Sequence, residues 1–69
     1  MSEVNNAEEA VIIADQFISK YYYIHRLEKV IRQGEVWVVE YNISILGPKQ
    51  EIRIKLDTKT GSLIEYTKI

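Results

Sequence analysis

The chain has 69 residues, a formal net charge of −1 and no cysteine. A chain of this length forms one small domain, and its 46% hydrophobic and 28% charged residues are typical of a folded globular protein. The lack of cysteine excludes disulfides and thiolate metal sites. The near-neutral charge gives no electrostatic drive toward nucleic acid or an anionic membrane.

The N-terminal residues lack the pattern of a signal peptide, and no stretch reaches the roughly 20 apolar residues that a membrane-spanning helix needs. We therefore expect one domain over residues 1–69, located in the cytoplasm, with no membrane contact.

A helix is predicted over about 6–22. Asn5 or Asn6 can cap its first turn, and Glu8 and Glu9 follow where the helix dipole favours acids. Apolar residues recur at helical spacing and predict the face that packs on a core. That face comprises Ala7, Ala10, Val11, Ala14, Phe17, Ile18 and Tyr21.

Three consecutive tyrosines mark the end of this helix. Tyr21 continues the apolar face, Tyr22 lies at its margin, and a helical Tyr23 would point away from the core. We therefore expect the helix to end near Tyr22, with Tyr23 and Ile24 in a connector.

Two strands are predicted next, over about 25–33 and 35–46, around a turn at Gln33–Gly34. In the second strand, alternation puts every other residue on the face that meets the helix. These core residues are Trp37, Val39, Tyr41, Ile43 and Ile45, and the opposite face carries Val36, Val38, Glu40, Asn42 and Ser44.

A second hairpin follows Gly47–Pro48, with strands over about 50–57 and 62–68. Ile52, Ile54 and Leu56 alternate inward, and the segment DTKTG forms the turn. The register of the last strand stays open, since Ile64 with Tyr66 and Leu63 with Ile69 define rival faces. The predicted fold is α+β, an N-terminal helix packed on one face of a four-stranded antiparallel β-meander.

Residues for chemistry are sparse. His25 is the only histidine, no serine lies in a nucleophile-elbow pattern, and no glycine-rich phosphate loop is present. The sequence therefore predicts no catalytic, cofactor-binding or metal site, and no enzyme; we expect His25 in the connector.

A protein-binding surface has more support. Val36 and Val38, joined by Val30, are expected on the sheet face that the helix leaves uncovered, together with Arg53 and Lys55. We expect the domain to dock this face or an edge strand to its partner, which is another protein or a second copy of the chain in a homodimer. The alternative is a domain that binds single-stranded nucleic acid, which is disfavoured because the aromatic side chains of the sheet fall on the core face.

Three segments resemble the PepSY domain: the alanine-spaced helix EEAVIIADQFI, the strand GEVWVVEYNI and the hairpin IRIKLDTKTGSLIEY. The resemblance covers roughly Ala7 to Tyr66 and is most specific from Leu56 to Gly61. That family occurs in propeptides of thermolysin-like metallopeptidases and in cell-envelope proteins, and is thought to inhibit or regulate peptidases. The resemblance implies a non-catalytic, regulatory module that contacts protein.

Overall fold

The computed structural model describes residues 3–69; Met1 and Ser2, which the expected domain over 1–69 includes, lie outside the described residues. One helix precedes four strands that form a single antiparallel sheet in the order β1-β2-β3-β4, with the helix on one face. The predicted α+β class is confirmed. The elements are α1 (Ala7–Ile18), β1 (Arg26–Gln33), β2 (Val36–Asn42), β3 (Glu51–Asp57) and β4 (Leu63–Lys68).

The start of α1 is fixed by reciprocal capping. The Asn6 side chain accepts a hydrogen bond from the Glu9 amide at 2.9 Å. The Glu9 carboxylate in turn accepts one from the Asn5 amide at 2.8 Å. Two backbone donors at the helix start are thus satisfied by side chains.

The helix ends at Ile18, four residues before the position expected from the tyrosines. The amides of Lys20 and Tyr21 donate to carbonyls three residues back, which tightens the last turn and rotates the following residues. As a result Tyr21 is 68% exposed, so its predicted place in the core is wrong, and Tyr22 packs against the core instead. Tyr23 is fully in solvent, as expected.

The first hairpin has a two-residue loop, Gly34–Glu35, one position later than predicted. This loop pairs Val30 with Val39, and paired residues share one face of an antiparallel sheet. Val30 therefore packs against the core beside the helix, and its predicted place on the uncovered face is wrong. Ile31, which pairs with Val38, takes that place.

Strand β2 ends at Asn42, earlier than the predicted 46. The Asn42 side chain accepts a hydrogen bond from the Ser44 amide at 2.9 Å, a local turn that competes with strand pairing. Ile43 still packs on the edge of the core, but Ile45 is 69% exposed and does not belong to it.

The core lies between α1 and the facing side of β2 and β3. It also includes the N-terminal segment, because the Trp37 indole donates to the Val4 carbonyl at 3.0 Å and the Val4 amide donates to the Thr58 carbonyl at 2.7 Å. Its buried members are Val4, Ala10, Ala14, Ile18, Trp37, Val39, Tyr41, Ile52, Ile54 and Leu56.

Both outer strands are irregular. The register shifts between Leu27 and Lys29 in β1, and opposite Lys55–Leu56 in β4. The second shift settles the register of the last strand, because Tyr66 pairs with Ile54 on the helix side while Leu63 pairs with Leu56.

Candidate functional site

The sheet face opposite the helix, which we call the open face, is built from the residues that alternate with the core positions of each strand. Two cross-strand rows occupy its centre. The first row is Lys29, Glu40 and Arg53, and the second is Ile31, Val38 and Lys55.

Val38 lies in the floor of this face. It is only 4% exposed, although it points away from the helix. Its cross-strand neighbours are Ile31 on one side and Lys55 on the other. Long charged side chains cover apolar neighbours with their aliphatic stems while their charged ends stay in water. Val38 is therefore buried beneath the charged side chains of this face and does not form an exposed apolar patch.

The charges above this floor are unevenly paired. The Arg53 Nε lies 3.1 Å from a Glu40 carboxylate oxygen, and the Lys55 Nζ lies 3.6 Å from Glu65. Lys29 forms no ion pair with any of residues 3–69. One cation of the open face is thus available to a ligand, and a second is held only loosely.

Glu65 has another partner besides Lys55. The Thr67 hydroxyl donates to the Glu65 carboxylate at 2.9 Å. This hydrogen bond and the nearby Lys55 ammonium hold the pKa of Glu65 below its ordinary value. Glu65 therefore stays ionised and keeps a strong partner even when Lys55 moves away.

These side chains surround a hollow of about 210 Å³, which we call the open-face groove. Ile31 and Val38 contribute its apolar part, and its charged lining consists of three cations, Lys29, Arg53 and Lys55, and one carboxylate, Glu40. No helix, strand or loop of residues 3–69 covers it.

The predicted surface residues are therefore partly brought together. Val36, Val38, Arg53 and Lys55 share the open face, and Val30 lies on the other side of the sheet. The sequence reasoning missed Ile31 and Lys29. The sequence did contain the information needed to find them. A two-residue hairpin loop after Gln33 fixes which residues of β1 lie on the face opposite to Val30.

A second hollow of about 290 Å³ lies at the hairpin end of β1, beside the N-terminal segment. Its charged lining is balanced, with Glu3 and Glu35 facing Arg32 and Lys59. Because Glu35 and Lys59 pair with each other at 3.6 Å, this hollow carries no excess charge to attract a ligand.

His25 belongs to a cluster that joins the connector, the helix and β2. Its Nε2 lies 3.0 Å from an Asp15 carboxylate oxygen and its Nδ1 lies 3.1 Å from the Tyr22 carbonyl. The Tyr41 hydroxyl donates to the same Asp15 oxygen at 3.3 Å. The rings of His25 and Tyr41 meet edge to face. Both ring nitrogens of His25 are thus engaged, and we interpret the cluster as a structural clasp.

Burial and the Asp15 carboxylate both raise the pKa of the Tyr41 phenol, with burial the larger cause. The neutral phenol is the form that can donate its hydrogen bond to Asp15. The clasp therefore requires Tyr41 to keep its proton.

The tyrosines of the connector form a second aromatic contact. The Tyr21 ring lies 5.4 Å from the Tyr66 ring in a tilted arrangement. The Tyr66 hydroxyl is buried and has no hydrogen-bond partner among residues 3–69. Burial, with a smaller contribution from the neighbouring Tyr22, raises the pKa of Tyr66.

Within residues 3–69, no three histidine or acidic side chains come together in a way that could hold a metal ion. The helix of this part of the chain is too short and too polar to cross a bilayer.

The fold and the groove define a small α+β domain with one covered and one open sheet face. Comparison with models of known protein families, with curated proteins and with solved structures finds no match for this chain.

Proposed function

We propose that this protein is a non-catalytic protein-binding module that docks a partner on its open face. The observation that carries the proposal is the open-face groove, in which an aliphatic floor is surrounded by cations and left uncovered by residues 3–69. Charged groups around an interface steer and orient a partner, and this groove presents them around its small apolar floor.

Docking on the face is favoured over docking on an edge strand. Both outer strands contain a register shift, at Leu27–Lys29 in β1 and opposite Lys55–Leu56 in β4. Such bulges break the regular row of free amides and carbonyls that an added strand needs.

The distribution of aromatic residues weakens the nucleic-acid alternative. Single strands bind to sheets by stacking their bases on exposed aromatic rings. Trp37 and Tyr41 are buried beneath the helix, and Tyr66 pairs with Ile54 on the same side. The open face has cations but no ring on which a base could stack.

The resemblance to the PepSY domain supports the same proposal. Under it, this chain is a regulatory module that acts by contact, with a peptidase among the candidate partners. A second copy of the chain is the other candidate. Both would bury the open face, which a small domain without disulfides gains from covering.

The experiment is site-specific photo-crosslinking in the cells that make the protein. The photoreactive residue replaces Gln33, which is exposed and lines the open-face groove. The matched control replaces Gln16, which is equally exposed but lies on the outer side of the helix. We expect covalent protein adducts from position 33 and few or none from position 16.

Mass spectrometry then identifies the partner. An adduct of twice the 8.1 kDa chain mass identifies a second copy, and any other recurring adduct identifies a different protein. If position 33 gives no more adduct than position 16, the open face is not a docking surface and the proposal is wrong.

A further inference from the structure

The chemistry of the partner can be read from the charges of the open-face groove. Three cations against one carboxylate leave an excess of positive charge in a molecule whose net charge is negative. The single carboxylate, Glu40, is already paired with Arg53 at 3.1 Å. Lys55 is loosely paired at 3.6 Å with Glu65, which lies outside the lining, so the uncompensated charge of the groove resides on Lys29.

These two lysines converge from different strands. Lys29 stands on β1 and Lys55 on β3, separated by β2 and by two residues along the strands, hence by about 12 Å of sheet. Both nevertheless line the same hollow, with Val38 in its floor between them. An anionic group in the hollow would be reached by both ammonium groups at once.

The size of the groove limits what enters it. Its volume of about 210 Å³ lies below the roughly 300 Å³ at which pockets for small organic ligands begin. It suits one acidic side chain, while the apolar surface contributed by Ile31 and Val36 suits an aliphatic neighbour of that side chain.

Resting on the function proposed above, we propose that the open face recognises a protein segment in which an acidic residue stands beside aliphatic ones, its carboxylate lying between Lys29 and Lys55. Lys55 exchanges its loose contact with Glu65 for the incoming carboxylate, and Glu65 keeps the Thr67 hydroxyl. Lys29, which pairs with no acidic group of residues 3–69, gains an ionic partner.

A protein carboxylate fits this groove better than a nucleic-acid phosphate. A chain of closely spaced phosphates needs several unpaired cations, whereas in this groove Arg53 is paired with Glu40 and Lys55 with Glu65. Nucleic-acid binding also needs stacking rings, and the rows of the open face contain none.

The test is a nuclear magnetic resonance titration of the purified chain. The probe is a short capped peptide that alternates glutamate with valine, and two control peptides carry glutamine or lysine in place of glutamate. We expect the amide signals of Ile31, Val38 and Lys55 to shift with the glutamate peptide and not with the controls. Added salt should weaken the binding.

The variant Lys29→Gln removes the free cation and should weaken binding of the glutamate peptide about fivefold. Lys20→Gln removes an equally exposed cation outside the groove and should leave the affinity unchanged. Since both positions are exposed, both variants fold, and their amide spectra verify this.

The acidic-segment proposal is overturned if the glutamate and glutamine peptides bind alike, if the shifts map to the helix side, or if Lys29→Gln has no more effect than Lys20→Gln. If adducts form at position 33 while the glutamate peptide causes no shifts, the module docks a partner of different chemistry. If the peptide binds while position 33 forms no adducts, the groove binds carboxylates but the proposed cellular function is wrong.

Discussion

Gly61 offers a direct test of how α1 packs against the turn between β3 and β4. Its φ of +76° lies in the left-handed region, and a Cβ added there would sit 3.2 Å from the Ile13 Cδ1 and 3.5 Å from the Val4 Cγ2. Gly34 is the matched control, because its φ is +62° and a Cβ would meet nothing within 4 Å. The variant Gly34→Ala therefore reports backbone strain alone.

The magnitudes follow from these two environments. An alanine in the left-handed region costs about 1–2 kcal/mol, partly offset by about 0.4–1 kcal/mol from the stiffer unfolded chain. Both variants share these contributions. Gly61→Ala adds a tight contact with the end of the half-buried Ile13 side chain, which has to move by a few tenths of an ångström. We place the added cost at the low end of the about 1–3 kcal/mol of overpacking, so Gly61→Ala should lower the free energy of unfolding by more than Gly34→Ala.

Urea denaturation followed by circular dichroism measures the difference, with unchanged m-values as the condition for comparing free energies. A double-mutant cycle with Ile13→Val isolates the contact, because valine lacks the Cδ1 atom that the new Cβ would meet. We expect Ile13→Val to cost less in the Gly61→Ala background than in the wild type. Equal destabilisation by the two glycine variants, together with additivity in the cycle, would refute the packing described for Gly61.

Three further predictions concern the core and the helix. Tyr41 keeps its proton in the folded state while the unfolded chain ionises above its ordinary pKa of 10, so stability falls as pH rises beyond 10, by at most about 1.4 kcal/mol per pH unit. Urea titrations across this range should show a shallower fall for Tyr41→Phe, with the remainder due to other tyrosines; an unchanged slope contradicts the assignment. Trp37→Phe removes the donor to the Val4 carbonyl and should cost about 1–3 kcal/mol, with faster hydrogen exchange of the Val4 amide as its signature. Asn6→Ala removes the helix cap and should cost about 1 kcal/mol in the same denaturation assay; no loss would mean that the capping bond contributes nothing.

Features set by neighbouring residues along the chain could be predicted from the sequence. The helix start follows from an amide cap and an acidic first turn, and the inward residues of β3 follow from strict alternation. Ile52, Ile54 and Leu56 are all buried to 1% exposure or less. The signal was strong because polar and apolar residues alternate there without exception.

Features set by contacts between residues distant along the chain could not be predicted from the sequence. The end of the helix carries no glycine or proline, so where it stops depends on which tyrosine packs against the sheet. The face on which Val30 lies depends on the length of the hairpin loop between β1 and β2. One residue more or less in that loop would move Val30 to the other face of the sheet. The ion pair between Arg53 and Glu40 is what leaves Lys29 free, and the sequence alone offers several other carboxylates as partners.

The fastening of Val4 to Thr58 has a consequence for how the protein is made. Val4 is synthesised before Thr58, so the segment that carries Val4 has no docking place until the turn after β3 has been made. Closure of this long-range contact should therefore belong to a late stage of folding. A nascent chain stalled before residue 58 would lack the carbonyl that holds Val4 in place beside the Trp37 indole.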